Sequence, residues 1–315
     1  NVHTKMSPVE FRYMRYSIIG VGGIGGYYGG RLAQAGYDVH FLLHSDYEYV
    51  KENGLTVDSV NGSFHLDNPN VYGKAEELPL SDVVVVCLKT TNNYMLPSLL
   101  KKVADQHSIV ILIQNGIGVE ADVAQQMPHL QLVAGLAFIC TAKVGPGHIS
   151  HQCYGHINLG NYSCRNMEVL QKIVNDFNAA GIKTGLVDYE TARWRKAVWN
   201  MPFNGMTVAL NTQTDLLLKN PATRSLIRDL MMEIVRTSRH LGVTGVDEDF
   251  VETMISMTDD MVPYSPSMKL DFDNHRPMEI EYIYSRPLLI ARNAGMPMPK
   301  LEMLEAELKY IEANY

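Results

Sequence analysis

Three glycines near the start of the chain constrain its fold more than any other feature. Gly20, Gly22 and Gly25 form G-x-G-x-x-G directly after the apolar run at 16–20 (YSIIG). A helical stretch follows through Tyr28, Leu32 and Ala33 and stops at Gly36. Between a strand and a helix, glycines permit a tight turn and let the backbone approach a pyrophosphate closely. The unpaired N–H groups at the helix start then stabilise the phosphate charge. Gly20, Gly22, Gly23, Ile24 and Gly25 are therefore the expected cofactor-binding loop. A glycine-rich turn without a ligand is the bland alternative, but the strand before, the helix after and a further strand about 20 residues on argue against it.

That further strand is DVHFLL at 38–43, and SDVVVVCLK at 81–89 has unbroken valines, as expected of a strand buried on both faces by covering helices. SIVILIQ at 108–114 runs into the turn Asn115-Gly116-Ile117-Gly118, and LQLVAGLAFI at 130–139 supplies one more strand. Strands alternating with helices predict an α/β fold, a Rossmann-type doubly wound, mostly parallel sheet. Around 140–160, short alternating segments split by Gly145-Pro146-Gly147 and Gly155 read as a β-hairpin closing the sheet.

From Asp188 the pattern turns helical, with amphipathic runs such as TARWRKAVWN and ATRSLIRDLMMEIVRTSRHLG, the latter stopped at Gly242. At 315 residues and 46% hydrophobic composition, two domains are expected. We place a leader or a non-native remnant at 1–13, a dinucleotide-binding domain at 14–187 and an all-helical substrate-binding domain at 188–315. The methionines Met201, Met206, Met231, Met232, Met254 and Met257 are expected to fill irregular core.

A net charge of −7 provides no broad basic field, so nucleic acid is not an expected partner. No stretch reaches the ~20 apolar residues of a membrane span, and the polar opening lacks the apolar middle of a signal peptide. Cys87, Cys140, Cys153 and Cys164 form no CxxC pair, and a chain this long needs no disulfide framework. A reducing, cytoplasmic location is expected. His148, His151 and His156 lie on the expected hairpin without recognisable ligand spacing, so no metal is expected.

The strand at 38–43 ends in Leu43-His44-Ser45-Asp46, with no acid at the strand end to accept the ribose 2′-hydroxyl of NAD. His44 and Ser45 suit a 2′-phosphate and favour NADPH, whereas Asp46, one step later, would serve NADH as a ribose acceptor.

The glycine loop, the strand end Cys87-Leu88-Lys89, the turn at 114–118 and Trp194-Arg195-Lys196 followed by Asn200 and Asn204 together resemble the ketopantoate reductase family. The resemblance continues through Ser265-Pro266-Ser267-Met268, Asp271, Arg276 and Glu279-Ile280-Glu281, and covers roughly residues 14–310. It implies a Rossmann domain plus a helical domain, a possible homodimer through the latter, and NADPH-dependent reduction of ketopantoate to pantoate on the way to pantothenate and coenzyme A. Three features depart from the family pattern. His44 stands where an arginine often meets the 2′-phosphate, Tyr284-Ser285 replaces a glycine and would alter packing beside the substrate, and Pro202 would kink the helix bearing Lys196.

Lys196, Asn200 and Asn204, spaced i, i+4 and i+8, project from one helix face. Ketone reduction builds negative charge on oxygen, so the site needs a donor that stabilises and then protonates it. Lys196 is the candidate, its pKa lowered by burial against Trp194 or Trp199. Glu279 is expected to orient it, to bind a substrate hydroxyl or to contact cofactor. Asn200, Asn204 and Ser267 are expected to bind the small 2-keto acid without burying another charge. Asn115, at the C-terminal edge of the sheet, is expected to reach the nicotinamide ribose or the substrate carboxylate, and Lys89 to contact cofactor or substrate. Reduction of another small 2-keto acid, or a non-catalytic NADP sensor, are the competing readings.

Overall fold

The computed structural model describes residues 13–315. The expected leader lies outside these, except for Tyr13. The N-terminal part alternates strands and helices: β1 (Arg15–Ile19), α1 (Gly23–Gln34), β2 (Asp38–Leu42), α2 (Tyr47–Asn53), β3 (Leu55–Ser59), β4 (Phe64–Leu66), β5 (Asn70–Tyr72), β6 (Val83–Val86) and α3 (Leu96–Leu100). It continues through β7 (Ile109–Leu112), α4 (Val119–Gln126), β8 (Gln131–Gly145), β9 (His148–Asn161), α5 (Met167–Ala179) and β10 (Thr184–Val187).

These strands form one 10-stranded sheet in the order β4-β3-β9-β8-β7-β6-β1-β2-β5, with β10 also on β9. The stretch from β8 to β5 is parallel throughout. The chain passes from β1 to β2 on one side and later returns to β6 on the other, which opens a crevice at the carboxyl ends of β1 and β6. The glycine loop leaves β1 at this switch point.

Pleating explains why β6 and β7 are apolar at every position. Val83 and Val85 with Ile109 and Ile111 face one core, under α1 and α5, while Val84 and Val86 with Val110 and Leu112 face a second core under α3 and α4. All eight are buried.

The hairpin expected to close the sheet instead lies within it. β8 and β9 are long antiparallel strands, and β9 is flanked on its other side by β3 near its start and β10 near its end, both parallel to it. Closure fails because a strand this long leaves a free edge, and these two segments pair with it. The same register corrects the expectation of four thiols. Cys140 lies opposite Cys153 and the two are joined as a disulfide, while Cys87 and Cys164 are free.

After β10 the chain is helical: α6 (Tyr189–Ala209), α7 (Thr214–Lys219), α8 (Pro221–His240), α9 (Glu248–Asp259), α10 (Ser267–Asp273), a π-helical turn (Glu281–Ser285), α11 (Arg286–Asn293) and α12 (Pro299–Ala313). Asp188 starts α6 by accepting from the backbone N–H of Thr191. α6 continues through Pro202 as a single element. Tyr284 does not pack beside the cavity described below. It is buried in the helical core, its hydroxyl donating to the Met201 carbonyl, in space left by Gly205 on α6. No helix among the described residues is long and apolar enough to cross a membrane.

Candidate active site

α6 presents Lys196, Asn200 and Asn204 to a cavity between the helical bundle and the sheet. Asn115, after β7, and Ser267, at the start of α10, line the same cavity, as does Ile24 of the glycine loop. Lys196 is the one charged side chain in this lining. Its ammonium donates to the Ala137 carbonyl of β8 at 2.5 Å and sits 4.4 Å from the centroid of the Phe138 ring. Burial, reinforced by the nearby Arg193 guanidinium, lowers its pKa to about 8. The aromatic neighbour is therefore Phe138 of the sheet. Trp194 points into the helical core, and Trp199 forms another part of the cavity wall.

Asn204 is buried and accepts from the Met268 N–H at 3.3 Å, which fixes the start of α10 against α6. Asn200 is buried too, and neither its amide nor the side chains of Asn115 and Ser267 hydrogen-bond to another described residue. Polar groups set in a buried or half-buried wall without protein partners are matched to a polar ligand. Phe138, Tyr154, Trp199, Met257, Met261 and Tyr264 make most of the remainder apolar and aromatic. Met257, expected only to fill core, is part of this wall.

Lys89 and Glu279 do not line the cavity. Lys89 pairs with the buried Asp271, which also accepts from Arg276 Nε at 3.1 Å. Glu279 accepts from both the N–H and the hydroxyl of Thr90, at 2.7 and 2.9 Å, rather than from Lys196. Burial raises its pKa above the usual carboxylate range, opposed by those hydrogen bonds and by Lys89. Both residues thus tie the β6 strand end to the helical part of the chain.

A second depression runs from the glycine loop past the ends of β2 and β6. Gly20 has φ +91° and Gly25 approaches it so closely that a Cβ on Gly25 would lie 1.9 Å from the Gly20 carbonyl oxygen. A Cβ on Gly22 would meet nothing within 4 Å, so that side of the loop is open. No side chain caps the start of α1. These free N–H groups and the open approach fit a dinucleotide pyrophosphate. His44 and Ser45 are exposed on the groove wall, but Asp46 is buried, its carboxylate held by the Gly147 N–H and Lys143 Nζ, each at 3.1 Å.

The hairpin histidines have protein partners. His148 meets Asp58, His151 bonds Ser59 and the carbonyls of Cys153 and Tyr154, and His156 stacks on Phe138 with 4.8 Å between ring centroids. No group of three potential metal ligands occurs among the described residues.

Sequence reasoning missed the sheet's share of the cavity, Phe138, Thr141 and Tyr154, and the positioning pair Arg193–Glu120. Arg193 donates to the Gln114 carbonyl at 2.5 Å and pairs with the buried Glu120, locking α6 to the β7 end. One helical turn separates Arg193 from Lys196, a spacing that places it on the same face.

The family model "Ketopantoate reductase PanE/ApbA" matches residues 16–163, and "Ketopantoate reductase PanE/ApbA C terminal" matches 188–312. A 2-dehydropantoate 2-reductase of Nostoc sp. is 43% identical over 306 residues, covering 95% of this chain and 96% of that protein. The crystal structure of 2-dehydropantoate 2-reductase from Geobacter metallireducens superimposes with a TM-score of 0.90 at 35% identity, covering 94% of this chain and 99% of the other. D-mandelate dehydrogenase in ternary complex with NADH and anilino(oxo)acetate shares the fold, with a TM-score of 0.85 at 20% identity over 95% of this chain and 99% of that one. The chain belongs to the ketopantoate reductase (PanE/ApbA) family.

Proposed function

We propose that this chain is a nicotinamide-dependent oxidoreductase that reduces the 2-keto group of 2-dehydropantoate to the alcohol of pantoate, using NADPH in preference to NADH. In this reading residues 14–187 carry the cofactor and 188–315 supply the polar wall that receives the keto acid. Assembly as a homodimer belongs to the same reading and rests on family membership.

The observation that carries it is the placement of one lysine, with a pKa lowered to about 8, among unpartnered amide and hydroxyl groups in a largely apolar cavity beside the glycine loop. A bound reduced nicotinamide supplies the hydride for the keto carbon. Lys196 stabilises the negative charge that grows on the keto oxygen and gives it a proton, then regains one from solvent. Its contacts to the Ala137 carbonyl and the Phe138 ring hold the ammonium in place before the substrate arrives. Asn200, Asn204, Ser267 and Asn115 are suited to the carboxylate and terminal hydroxyl of the substrate, and the aromatic and methionine side chains to its two methyl groups. Glu279, bonded to Thr90, acts by holding the β6 end and the helical part together beside the cofactor groove. The preference for NADPH is supported by the absence of a strand-end acid and by His44, exposed on the groove wall.

Lys196→Ala, assayed by NADPH oxidation with 2-dehydropantoate, should lower kcat by roughly 10²–10⁴-fold with little change in NADPH affinity. In the intact enzyme, keto-acid reduction should fall tenfold per pH unit above about 8, as Lys196 loses its proton, while oxidation of the alcohol should rise through the same region. A near-normal kcat in the variant, or a profile flat through pH 8, removes Lys196 from the chemistry.

A further inference from the structure

At the adenosine end of the groove, the β2 strand end lacks an arginine, and the acid just beyond it, Asp46, is already engaged by a residue from another part of the sheet. Asp46 is buried, and Lys143, near the end of β8, reaches it with Nζ 3.1 Å from the carboxylate. Lys143 lines the groove together with His44, Ser45 and Asp46, and is the one permanently charged cation in that lining. Its side chain is 38% exposed, so it is in contact with both the buried carboxylate and the open groove.

The tip of the β8–β9 hairpin is pinned where it must be to hold this position. The Gly147 N–H donates to Asp46 at 3.1 Å, and the Gly147 carbonyl accepts from the Thr56 N–H of β3 at 2.8 Å. We propose that Lys143 is the residue that recognises the 2′-phosphate of NADPH and so sets the cofactor preference, a proposal that rests on the nicotinamide reading above.

The chemistry follows from charge and donor count. A bare Asp46 carboxylate at this wall would repel a phosphate dianion and accept a ribose diol, which is the NADH arrangement. Paired with Lys143 its charge is neutralised, and both its oxygens already have partners in Ser45, Gly147 and Lys143. An ammonium has three donors. One serves Asp46, and the others remain for phosphate oxygens, next to the ring of His44 and the hydroxyl of Ser45. The neighbouring Lys74 is a poorer candidate because it shares an adjoining recess with Glu48 and Glu77, whose charges oppose an anion there.

The test is direct binding to the purified, substrate-free protein, following nicotinamide fluorescence with NADPH and NADH, with adenosine 2′,5′-bisphosphate and 5′-AMP as competitors. Lys143→Ala should weaken NADPH and the 2′,5′-bisphosphate by roughly ten- to a hundredfold, the worth of a charge-assisted contact, and leave NADH and 5′-AMP within about twofold. Lys143→Arg should retain the preference, and Lys74→Ala should leave both cofactors unchanged. Equal weakening of NADPH and NADH in Lys143→Ala would reduce Lys143 to a hairpin-anchoring role and overturn the proposal. So would unchanged NADPH binding, a loss that appears in Lys74→Ala instead, or a wild-type protein that does not discriminate between the two cofactors. Failure of the wild type to bind either cofactor would overturn the nicotinamide reading itself.

Discussion

Lys196 illustrates how a residue acquires chemistry from its surroundings. Its helical spacing to Asn200 and Asn204 is legible in the sequence, because a side-chain row on one helix face follows from geometry alone. Its partners are not legible in that way. Ala137 and Phe138 come from a strand about sixty residues earlier and meet Lys196 only once the sheet has formed. The glycines separate into two roles by the same reasoning. Gly25→Ala would place a Cβ 1.9 Å from the Gly20 carbonyl and must disrupt the loop, whereas a Cβ at Gly22 meets no protein atom within 4 Å. Gly22→Ala should therefore leave thermal stability within about 0.5 kcal/mol, as for substitutions that disturb no contact, yet weaken cofactor binding about tenfold or more. Gly25→Ala should lose both. Calorimetric melting and fluorescence titration of the two variants separate these outcomes, and unimpaired cofactor binding by Gly22→Ala would contradict the pyrophosphate assignment.

Among the elements, α6 carries the most of the account. One face lines the cavity, the opposite face packs in the helical core, and its first turns are fixed to the sheet through Arg193. Pro202 does not end the helix, and the family glycine replaced by Tyr284 is matched by Gly205 across the helix contact, where a Cβ would lie 2.5 Å from the tyrosine oxygen. Gly205→Ala should consequently destabilise the helical part by about 1–3 kcal/mol through overpacking, read as a lower thermal midpoint. Pairing it with Tyr284→Phe should recover part of the loss, and an undiminished midpoint for Gly205→Ala alone would refute the packing argument. The hairpin was legible as a hairpin, from its glycines and alternation, but not its position within the sheet. Alternation specifies which face a side chain takes and says nothing about which strand lies next door. The Cys140–Cys153 pairing escaped the sequence for the same reason, since it depends on the ladder register.

For the whole molecule, the two parts are joined by apolar packing, with Ile117 in the helical core and Ala192 beside Ala134 and Leu136, and by polar contacts. Glu120 with Arg193, Thr90 with Glu279, Lys89 with Asp271, and Asp122 with Arg286 at 2.7 and 2.9 Å all cross between them. The order of the strands was not read from the sequence, but the doubly wound, mostly parallel sheet was legible because α/β alternation admits few topologies. These cross-links were not, since nothing local marks an acid as the partner of a base far along the chain. Removing one member of the most deeply buried pair is costly: Glu120→Ala should destabilise by about 3–5 kcal/mol by leaving Arg193 uncompensated, and Glu120→Gln by less. Denaturant unfolding measures both, and a loss below 1 kcal/mol for Glu120→Ala would mean that the pair does not hold α6 to the sheet.

The central claim is that this cavity reduces ketopantoate. Its most direct test is the initial rate of NADPH oxidation with 2-dehydropantoate beside pyruvate, 2-oxoisovalerate and other branched 2-keto acids. The account predicts a kcat/KM for 2-dehydropantoate at least tenfold above the acids lacking the terminal hydroxyl, because the buried amides would otherwise go unpaired. Equal or faster turnover of a 2-keto acid without that hydroxyl, or cofactor binding with no turnover of any, would contradict it.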